Sequence, residues 1–462
     1  MDRNKIISNN EISAKSITKD KPSGLSDFTQ GSLSRHLILL ALPLVFGNIL
    51  QEFYNTIDAF VVGRFAGQEE FAAIGIAGTV MNLFLFALVG CCTGFSVLFA
   101  KAYGQRNMQE LRRQYVSALT AGLACTFALI TLGLTCMHFL LAALQTPPAL
   151  TAFVAVYLRW IFISLPAAFL YNLYASLLRS SGDTKAALIV LAAAVFTNLV
   201  LDIVLVAHFS LGIEGAAIAT ALTQLISAVL CKLYICLTHR ELLLHRDDIH
   251  ITLRALKTSF KFGIVSSLHQ CGLYLGKMLV QGTVNSAGTE IIAAYTAATR
   301  IEGFANSIGT SGSTSTSILT AQNYGAGKSE RVEKSFRCSI AWLALSGSVC
   351  GLIMLVFAPQ AIKLMLGTGE GIAFTSAVHY LRLVSLFYLF CFTGGTFTGY
   401  FSGIGKVMYP FAGTMIHISF RVVVSWLLFR YLGLNAVALA TGIGWVIANI
   451  FWGILKALRI KS

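Results

Sequence analysis

Two stretches decide the fold: Ala100-Lys101-Ala102-Tyr103-Gly104 and Ala321-Gln322-Asn323-Tyr324-Gly325 share alanine, tyrosine and glycine at matching places. They stand 221 positions apart (324 minus 103), and the same offset relates many other residues along the chain. Matching pairs include Ala66-Gly67 with Ala287-Gly288, Gly182 with Gly403, Lys185 with Lys406, and Leu211-Gly212 with Leu432-Gly433. The chain therefore contains one structural unit written twice.

The composition indicates whether the chain folds in water or in a membrane. Of 462 residues, 56% are hydrophobic and 12% are charged, and the mean hydropathy is +0.73. A soluble globular protein of this size would aggregate with such a composition. A helix needs about 20 largely apolar residues to cross the hydrocarbon core of a bilayer. Stretches of that length recur through both halves, so we expect an all-α integral membrane protein with about twelve transmembrane helices.

Six spans in each repeat would insert both units in the same sense. We therefore expect two parallel six-helix lobes around a central cavity, related by a pseudo-two-fold axis along the membrane normal, as in many transporters. The expected division is a polar, solvated tail at 1–33, an N-lobe at 34–237, a linker at 238–260, a C-lobe at 261–455 and a C-terminal tail at 456–462.

The positions of lysine and arginine predict the orientation. One side of the predicted bundle, which includes both tails, holds 25 of the 34 basic residues, whereas the opposite loops hold Arg64, Lys363 and Arg430. The excess of basic residues on one side predicts a cell (inner) membrane protein with both termini in the cytoplasm. The net charge of +14 is then a topology signal that also attracts anionic membrane lipids. Nucleic acid is not an expected partner.

The sequence does not favour an enzyme, because no paired catalytic residues with suitable spacing emerge. The stretch Gly325-Ala326-Gly327-Lys328-Ser329 ends like a phosphate-binding loop. The first glycine of such a loop would fall at Gln322, and no strand precedes it, so nucleotide is not an expected ligand. No Cys-x-x-Cys pair is present, and no cofactor is predicted.

Ionisable side chains inside the spans indicate where the chemistry lies. A buried aspartate at a helix centre costs about 2.5–3.5 kcal/mol on insertion scales, so such residues mark functional sites. With a rise of about 1.5 Å per residue, Asp58, Asp202 and Thr220 share one level of the outer leaflet. Asn198 and Asp202 are four residues apart and share a helix face. Their oxygens suit a proton or Na⁺, so we predict a cation site at Asp58, Asn198, Asp202 and Thr220. Interhelical hydrogen bonding is the alternative role.

Several stretches resemble multidrug and toxic compound extrusion (MATE) transporters. The first span carries Leu42-Pro43, Gln51, Tyr54-Asn55 and Asp58, followed by Val61-Val62-Gly63. The loop Arg179-x-x-Gly182-Asp183-x-Lys185 and the turn Gln322-Asn323-Tyr324-Gly325-Ala326-Gly327 are also similar to that family. The resemblance runs from about residue 30 to the C-terminus. It implies a secondary active multidrug exporter, an antiporter that moves amphipathic organic cations and drugs against an inward H⁺ or Na⁺ gradient by alternating access.

The resemblance also implies which residues form the site. In the similar branch of the family the cation site lies in the N-lobe, which corresponds here to Asp58, Asn172, Asn198, Asp202 and Thr220. Residues with supporting or substrate-pathway roles would be Pro43, Gln51, Tyr54 and Tyr157. The C-lobe acids of other branches are missing, because spans 7 and 10 offer Lys277, His379 and Arg382.

Other charged residues in the spans leave an alternative open. A lipid-linked precursor flippase of related architecture would need a basic cavity, which Arg159, Lys277, Arg300, Arg382 and Arg421 could supply. Arg300 and Glu302 point to different helix faces, so we expect each to pair with a neighbouring helix.

Overall fold

The computed structural model describes residues 26–143, 146–243 and 252–460, and for residues 54–60, 143, 459 and 460 it describes the backbone alone. Fourteen α-helices make up this part of the chain: α1 (Leu33–Phe65), α2 (Gln68–Gly104), α3 (Met108–Thr135), α4 (Met137–Ala143), α5 (Pro148–Ser180), α6 (Thr184–Asp202), α7 (Gly212–Thr238), α8 (Leu253–Asn285), α9 (Thr289–Gly325), α10 (Ser329–Leu366), α11 (Ile372–Ser385), α12 (Tyr388–Gly403), α13 (Met408–Leu432) and α14 (Leu434–Ile460). A π-helical turn, Ile203–His208, continues α6, and a 3₁₀ turn, Arg240–Leu242, follows α7.

The duplication is visible in the helix bounds. Helices α2 and α9 both have 37 residues and begin and end 221 positions apart. Helices α1 and α8 both have 33 residues, and α7 and α14 both have 27. The repeats differ at α5, a continuous helix containing Pro166, because its counterpart is the pair α11 and α12, which is bent by 51°. Tyr157 of α5 and Tyr380 of α11 are counterparts at an offset of 223 (380 minus 157), so this bent pair lies where the register slips.

The twelve-span, two-lobe architecture is confirmed. Among the described residues, nine helices are long and apolar enough to cross a membrane, and the bent pair is a tenth span. The remaining two spans are α8 and α9, which are as long as their counterparts α1 and α2 but richer in serine, threonine and glycine. Polar residues in a membrane helix face the bundle interior or a water-filled cavity. These two helices therefore belong to the inner part of the bundle.

Each lobe has its own apolar core. In the N-lobe, α2 and α7 pack on α5 around Phe95, Phe162 and Phe169. In the C-lobe, α9 and α10 pack on α12, and Tyr388 and Phe392 fill the space. The lobes meet where α2 contacts α8 and α9, and where α1 contacts α9. The cavity expected between the lobes is therefore bordered by α1, α2, α8 and α9.

The tightest inter-lobe contact joins the repeated Tyr-Gly turns. A Cβ atom on Gly104 would lie 2.0 Å from the carbonyl oxygen of Gln322, and one on Gly325 would lie 2.1 Å from that of Lys101. Lys101 and Gln322 are themselves counterparts at the 221 offset, so the two contacts are symmetric. Only hydrogen fits at both glycines, because helices α2 and α9 touch there backbone to backbone.

We predict that Gly104→Ala and Gly325→Ala each lower the stability of the purified transporter by about 1–3 kcal/mol, the usual cost of overpacking. The inserted methyl group must push α2 away from α9, so each variant should also loosen that end of the bundle. Thermal unfolding in detergent measures the first effect, and amide hydrogen exchange of the α2 and α9 ends measures the second.

Matched controls lie on the same two helices. Gly78 of α2 and Gly303 of α9 have no neighbouring atom within 4 Å of an added Cβ, so alanine should be tolerated at both. If alanine at Gly104 and Gly325 is as harmless as at the control glycines, the backbone contact does not hold the lobes together.

Candidate functional site: a buried polar set in the N-lobe and a charged cluster in the C-lobe

Helix α6 carries the centre of the predicted cation site. Asn198 and Asp202 lie one turn apart on this helix and are 1% and 0% exposed, so they share a buried face as the sequence predicts. Asp202 is the last α-helical residue before the π-helical turn Ile203–His208. π-helical turns are rare and are frequent at functional sites, because they place side chains differently from a regular helix.

The other predicted site residues come from helices around α6. Thr220 of α7 is buried, and α7 contacts α6 directly. Asp58 and Tyr54 lie on α1, which also contacts α6, but their side chains are outside the described residues. Three adjacent helices therefore carry the four polar residues of the predicted site, and their joint coordination of an ion stays a prediction.

The residues taken from the family resemblance alone have separate surroundings. The side-chain amide of Asn172 donates a hydrogen bond of 2.9 Å to the Ala168 carbonyl of its own helix, α5. Pro43 is half-buried within the continuous helix α1, and Gln51 is exposed. Tyr157 is buried, and its hydroxyl lies 3.6 Å from the sulfur of Met81. The roles of these residues in the cation site and the substrate pathway stay predictions.

A second cluster, made of charged residues and their tyrosine partners, lies in the C-lobe on four different helices. Glu302 of α9 is buried and accepts a 3.2 Å hydrogen bond from the hydroxyl of Tyr380 on α11. Arg421 of α13 donates a 3.2 Å hydrogen bond to the hydroxyl of Tyr295 on α9. The rings of Tyr295 and Tyr380 meet edge to face at 5.6 Å. Lys277 of α8 lies within electrostatic range of Glu302 and Arg421.

The prediction that Arg300 and Glu302 each pair with a neighbouring helix can be compared with this cluster, which also contains residues that the sequence analysis did not identify. Glu302 pairs with a neighbouring helix, as predicted, whereas Arg300 is exposed and lines a shallow groove with Met365 and Leu366. The partners Tyr295 and Tyr380 were missed. One signal could have found Tyr380: it is the counterpart of Tyr157, and Glu302 is the counterpart of Met81. In both lobes, therefore, a tyrosine of the fourth span contacts the second span. Its partner is the thioether of Met81 in the N-lobe and the carboxylate of Glu302 in the C-lobe.

One end of the bundle, here called the terminal face, consists of residues 26–31, the α2–α3, α5–α6 and α9–α10 turns, and the end of α14. Residues 26–31 lie across this face and contact both lobes. The sequence predicted a solvated tail here, and that prediction is wrong for this segment because Phe28 is only 2% exposed. Its ring belongs to an apolar cluster with residues from both lobes, including Leu98 and Leu319.

Hydrogen bonds attach this segment to the C-lobe. The Phe28 amide donates to Gln322 Oε1 at 3.1 Å, and Gln322 Nε2 donates in turn to the Ser180 carbonyl at 2.8 Å. Lys328 Nζ donates to the Thr29 carbonyl at 2.8 Å, and Arg331 donates to the carbonyls of Phe28 and Gly31. Gln322 therefore links residues 26–31, the N-lobe and the C-lobe.

Ionic contacts attach the same segment to the N-lobe. Asp27 forms a 2.8 Å ion pair with Arg106. Burial opposes ionisation of the Asp27 carboxyl, but hydrogen bonds from Thr29 and Arg106 outweigh it and lower its pKa. Gly182, at φ +95°, lies so close to this segment that a Cβ added to it would be 2.8 Å from the Ser26 nitrogen. Residues 26–31 and the Gly104–Gly325 crossing together close the terminal face.

The loop that contains Gly182 is fixed by its neighbour Asp183. This carboxylate caps the N-terminus of α6 through the Ala186 amide at 3.0 Å, and it accepts a 2.8 Å hydrogen bond from Tyr234. His239 Nε2 lies 3.0 Å from the same carboxylate. Burial opposes ionisation of the Asp183 carboxyl, whereas the hydrogen bonds from His239, Ala186 and Tyr234 lower its pKa. The Gly182-Asp183 motif thus positions the helix that carries Asp202.

The fold and the buried polar residues define a class of protein: a multi-pass membrane transporter made of two repeated lobes. The family model MatE matches residues 43–204 and again residues 266–427, one match in each half. The chain belongs to the MatE family.

Named relatives agree with this assignment. The chain is 26% identical over 408 residues to "Probable multidrug resistance protein YpnP" of Bacillus subtilis, which covers 88% of both chains. It is 22% identical over 437 residues to "Probable multidrug resistance protein NorM" of Thermotoga maritima, which covers 93% of this chain and 92% of the relative. The solved structure "Outward-facing conformation of a multidrug resistance MATE family transporter of the MOP superfamily" matches with a TM-score of 0.88 at 22% identity, over 96% of this chain and 99% of that chain. The protein is a transporter and not an enzyme.

We predict that Phe28→Ala loosens the terminal face, because it removes a buried ring from the space between the lobes. Amide hydrogen exchange should become at least tenfold faster in residues 26–36 and at the ends of α2 and α9. Arg35→Ala is the control, because this nearby side chain is exposed. Unchanged exchange in Phe28→Ala would show that the segment rests on the face without closing it.

The carboxylates of Asp27 and Asp183 should stabilise the terminal face equally at pH 5 and pH 8. The pKa values of Asp27 and Asp183 are both lowered, so their contribution to stability is complete above the ordinary value near 3.8 and is lost only as the pH falls through the lowered values. Asp27→Asn should therefore lower the exchange protection of residues 26–36, corrected for intrinsic rates, by the same factor at pH 5 and at pH 8. Comparison with the wild type at each pH cancels the contribution of other groups such as His36, which lies beside Phe28. A factor that differs markedly between the two pH values would contradict the assignment.

Proposed function

We propose that the protein is a secondary active multidrug exporter, an antiporter that moves amphipathic organic cations and drugs outward while H⁺ or Na⁺ enters. The observation that carries this proposal is the buried pair Asn198 and Asp202 on one face of a helix, within a transporter of the MatE family. An ionisable residue in such a place is expected to serve an ion pathway. The cell membrane is the proposed location, with the terminal face in the cytoplasm.

The chemistry of α6 suits a coupling ion. The side-chain nitrogen of Asn198 is buried and has no hydrogen-bond partner among the described residues, which costs about 1–3 kcal/mol. Such a cost persists where a bound group or a second conformation supplies the partner. We propose that an entering cation is held by Asp58, Asn172, Asn198, Asp202 and Thr220, with Na⁺ and H⁺ as the two candidates. One charge that crosses 100 mV supplies about 2.3 kcal/mol.

The closed terminal face fits one state of an alternating-access cycle. Export requires a state in which drug enters from the cytoplasm, so α2 must separate from α9 and residues 26–31 must release at least one lobe. Cation binding would favour one packing of α6 over another and so shift the balance between the two states. The wider π-helical turn after Asp202 is a suitable place for such a change, because it already departs from regular hydrogen bonding.

The proposed substrates are amphipathic, because the inter-lobe boundary offers aromatic surface. Phe86 of α2 and Tyr274 of α8 meet across it with ring centroids 5.3 Å apart, and both rings retain accessible surface. Aromatic faces attract organic cations. Pro43, Gln51, Tyr54 and Tyr157 stay predicted contributors to this pathway. The matched family and the named relatives give no support to the lipid-linked precursor flippase, which is therefore not proposed.

We expect Asp202→Asn and Asp58→Asn to reduce gradient-driven export of an ethidium-like dye at least tenfold, because an amide does not take up a proton and binds Na⁺ more weakly than a carboxylate. The measurement is dye transport by proteoliposomes with the pH gradient and the Na⁺ gradient imposed separately. The gradient that drives transport by the wild type identifies the coupling ion.

Glu290→Gln is the control for these variants, because it makes the same carboxylate-to-amide change at the exposed start of α9. All variants must be inserted in equal amounts and show comparable melting temperatures. Full-rate export by both aspartate variants would refute the coupling assignment.

A further inference from the structure

The first turns of α8 carry a shallow, open groove, here called the α8 groove. Its lining residues are Leu253, Arg254, Lys257, Thr258 and Lys261. The three basic residues are spaced by three and four positions, so they lie on one face of the helix, and all three are exposed. The sequence of α8 contains no aspartate or glutamate that could balance them.

The positive charges of this groove are uncompensated. Lys257 and Lys261 are one helical turn apart, and like charges at that spacing destabilise a helix. In the part of the chain that the structure describes, neither lysine forms an ion pair, and Arg254 forms none. By contrast, the exposed Lys334 of α10 has the carboxylate of Glu330 at 2.6 Å, one turn away. An anion in the α8 groove would relieve the repulsion between its basic side chains.

The packing of the following residues places the groove at one end of the bundle. Phe262 belongs to the same apolar cluster as Phe28, so the start of α8 lies at the end that carries the terminal face. Gly263 faces α2, because a Cβ added to it would lie 2.8 Å from the sulfur of Cys91. Lys261 precedes Gly263 by two residues and therefore points to a different side of the helix. The groove is thus turned away from the N-lobe.

The face of α8 that carries the groove continues into exposed apolar side chains. Ile264, Leu268 and Leu275 follow Lys261 at intervals of three, four and seven residues, and all three are exposed. Uncovered apolar side chains in a row along a membrane helix contact lipid. With a rise of about 1.5 Å per residue, Lys261 lies about 4–5 Å and Lys257 about 10 Å beyond Ile264 along the helix axis. The headgroup layer is roughly 5–8 Å thick on each side of a bilayer, so both long side chains can reach it.

We propose that the α8 groove binds the headgroup of an anionic phospholipid. Its phosphate would lie among Arg254, Lys257 and Lys261, because lysine offers mobile donors and arginine offers a planar fork that suits phosphate. Its acyl chains would cover Ile264 and Leu268. A free phosphate ion could use the same basic residues, but only a lipid also covers the apolar row that continues from them. The bound lipid would hold the first helix of the C-lobe at the membrane interface.

Photochemical crosslinking of the full-length protein tests this site. The protein is placed in phosphatidylcholine nanodiscs that contain phosphatidylglycerol with a photoreactive diazirine in an acyl chain. Peptide mapping by mass spectrometry then measures the labelling of residues 253–268 as the mole fraction of this lipid rises. The double variant Lys257→Gln, Lys261→Gln should raise the mole fraction for half-maximal labelling about 25-fold, because each basic residue near an anionic surface strengthens binding about fivefold. Arg254→Gln should raise it about fivefold.

Two double variants are the controls. Lys257→Arg with Lys261→Arg keeps both charges and should be labelled like the wild type. Lys334→Gln with Arg337→Gln removes two exposed basic residues at the same end of the bundle, whose charges are already balanced by glutamates one turn away. It should change the labelling of residues 253–268 less than twofold. Wild-type labelling of the double glutamine variant of the groove would overturn the site.

Two further probes identify the ligand. Phosphatidylcholine with the same photoreactive chain should label residues 253–268 much less than phosphatidylglycerol, and equal labelling would mean that ordinary boundary lipid occupies the groove. Inorganic phosphate should not compete more strongly than chloride at equal ionic strength. If it does displace the lipid, the groove binds a soluble anion and the assignment to lipid is overturned. Labelling is measured without transport, so its outcome is independent of the export function.

Discussion

The backbone contact between α2 and α9 is the constraint on which the rest of the molecule depends. Gly104 and Gly325 are counterparts in the two repeats, and each lies against a carbonyl that is the counterpart of the other. Such a reciprocal contact can form only where the two helices meet near the axis that relates the lobes. It brings the helix ends together at the terminal face. Gln322 then serves twice, since its carbonyl meets Gly104 and its side chain links Phe28 to Ser180.

The symmetric scaffold carries an asymmetric distribution of charge. Both lobes direct a tyrosine from the fourth span toward the second span of the same repeat: Tyr157 toward Met81, and Tyr380 toward Glu302. In the N-lobe the carboxylate lies elsewhere, at Asp202 on α6. In the C-lobe the carboxylate of Glu302 accepts the hydrogen bond of the tyrosine, and Arg421 bonds to the neighbouring Tyr295. The two repeats thus share the packing of their helices but carry their ionisable groups on different helices.

The fold could be predicted from the sequence because its signals are local or periodic. The 221-residue offset and the apolar stretches define the spans, and the spacing of Asn198 and Asp202 places both on one face of α6. The remaining contacts depend on how helices rotate against one another. The bond between Tyr380 and Glu302 joins residues 78 positions apart, and the bond between Phe28 and Gln322 joins residues 294 apart. Composition alone made residues 26–31 look solvated, because their polar backbone groups find partners only on the assembled lobes.

The contacts of residues 26–31 have a consequence for biogenesis. This segment leaves the ribosome before all the spans that it contacts, and Gln322, Lys328 and Arg331 follow it about 300 residues later. At a synthesis rate of about 5–20 residues per second, that delay is on the order of 15–60 s. During that interval the first six spans must insert and persist without their counterpart. Docking of the N-terminal segment is therefore among the last steps of assembly, and it occurs only in molecules whose second half has joined the first.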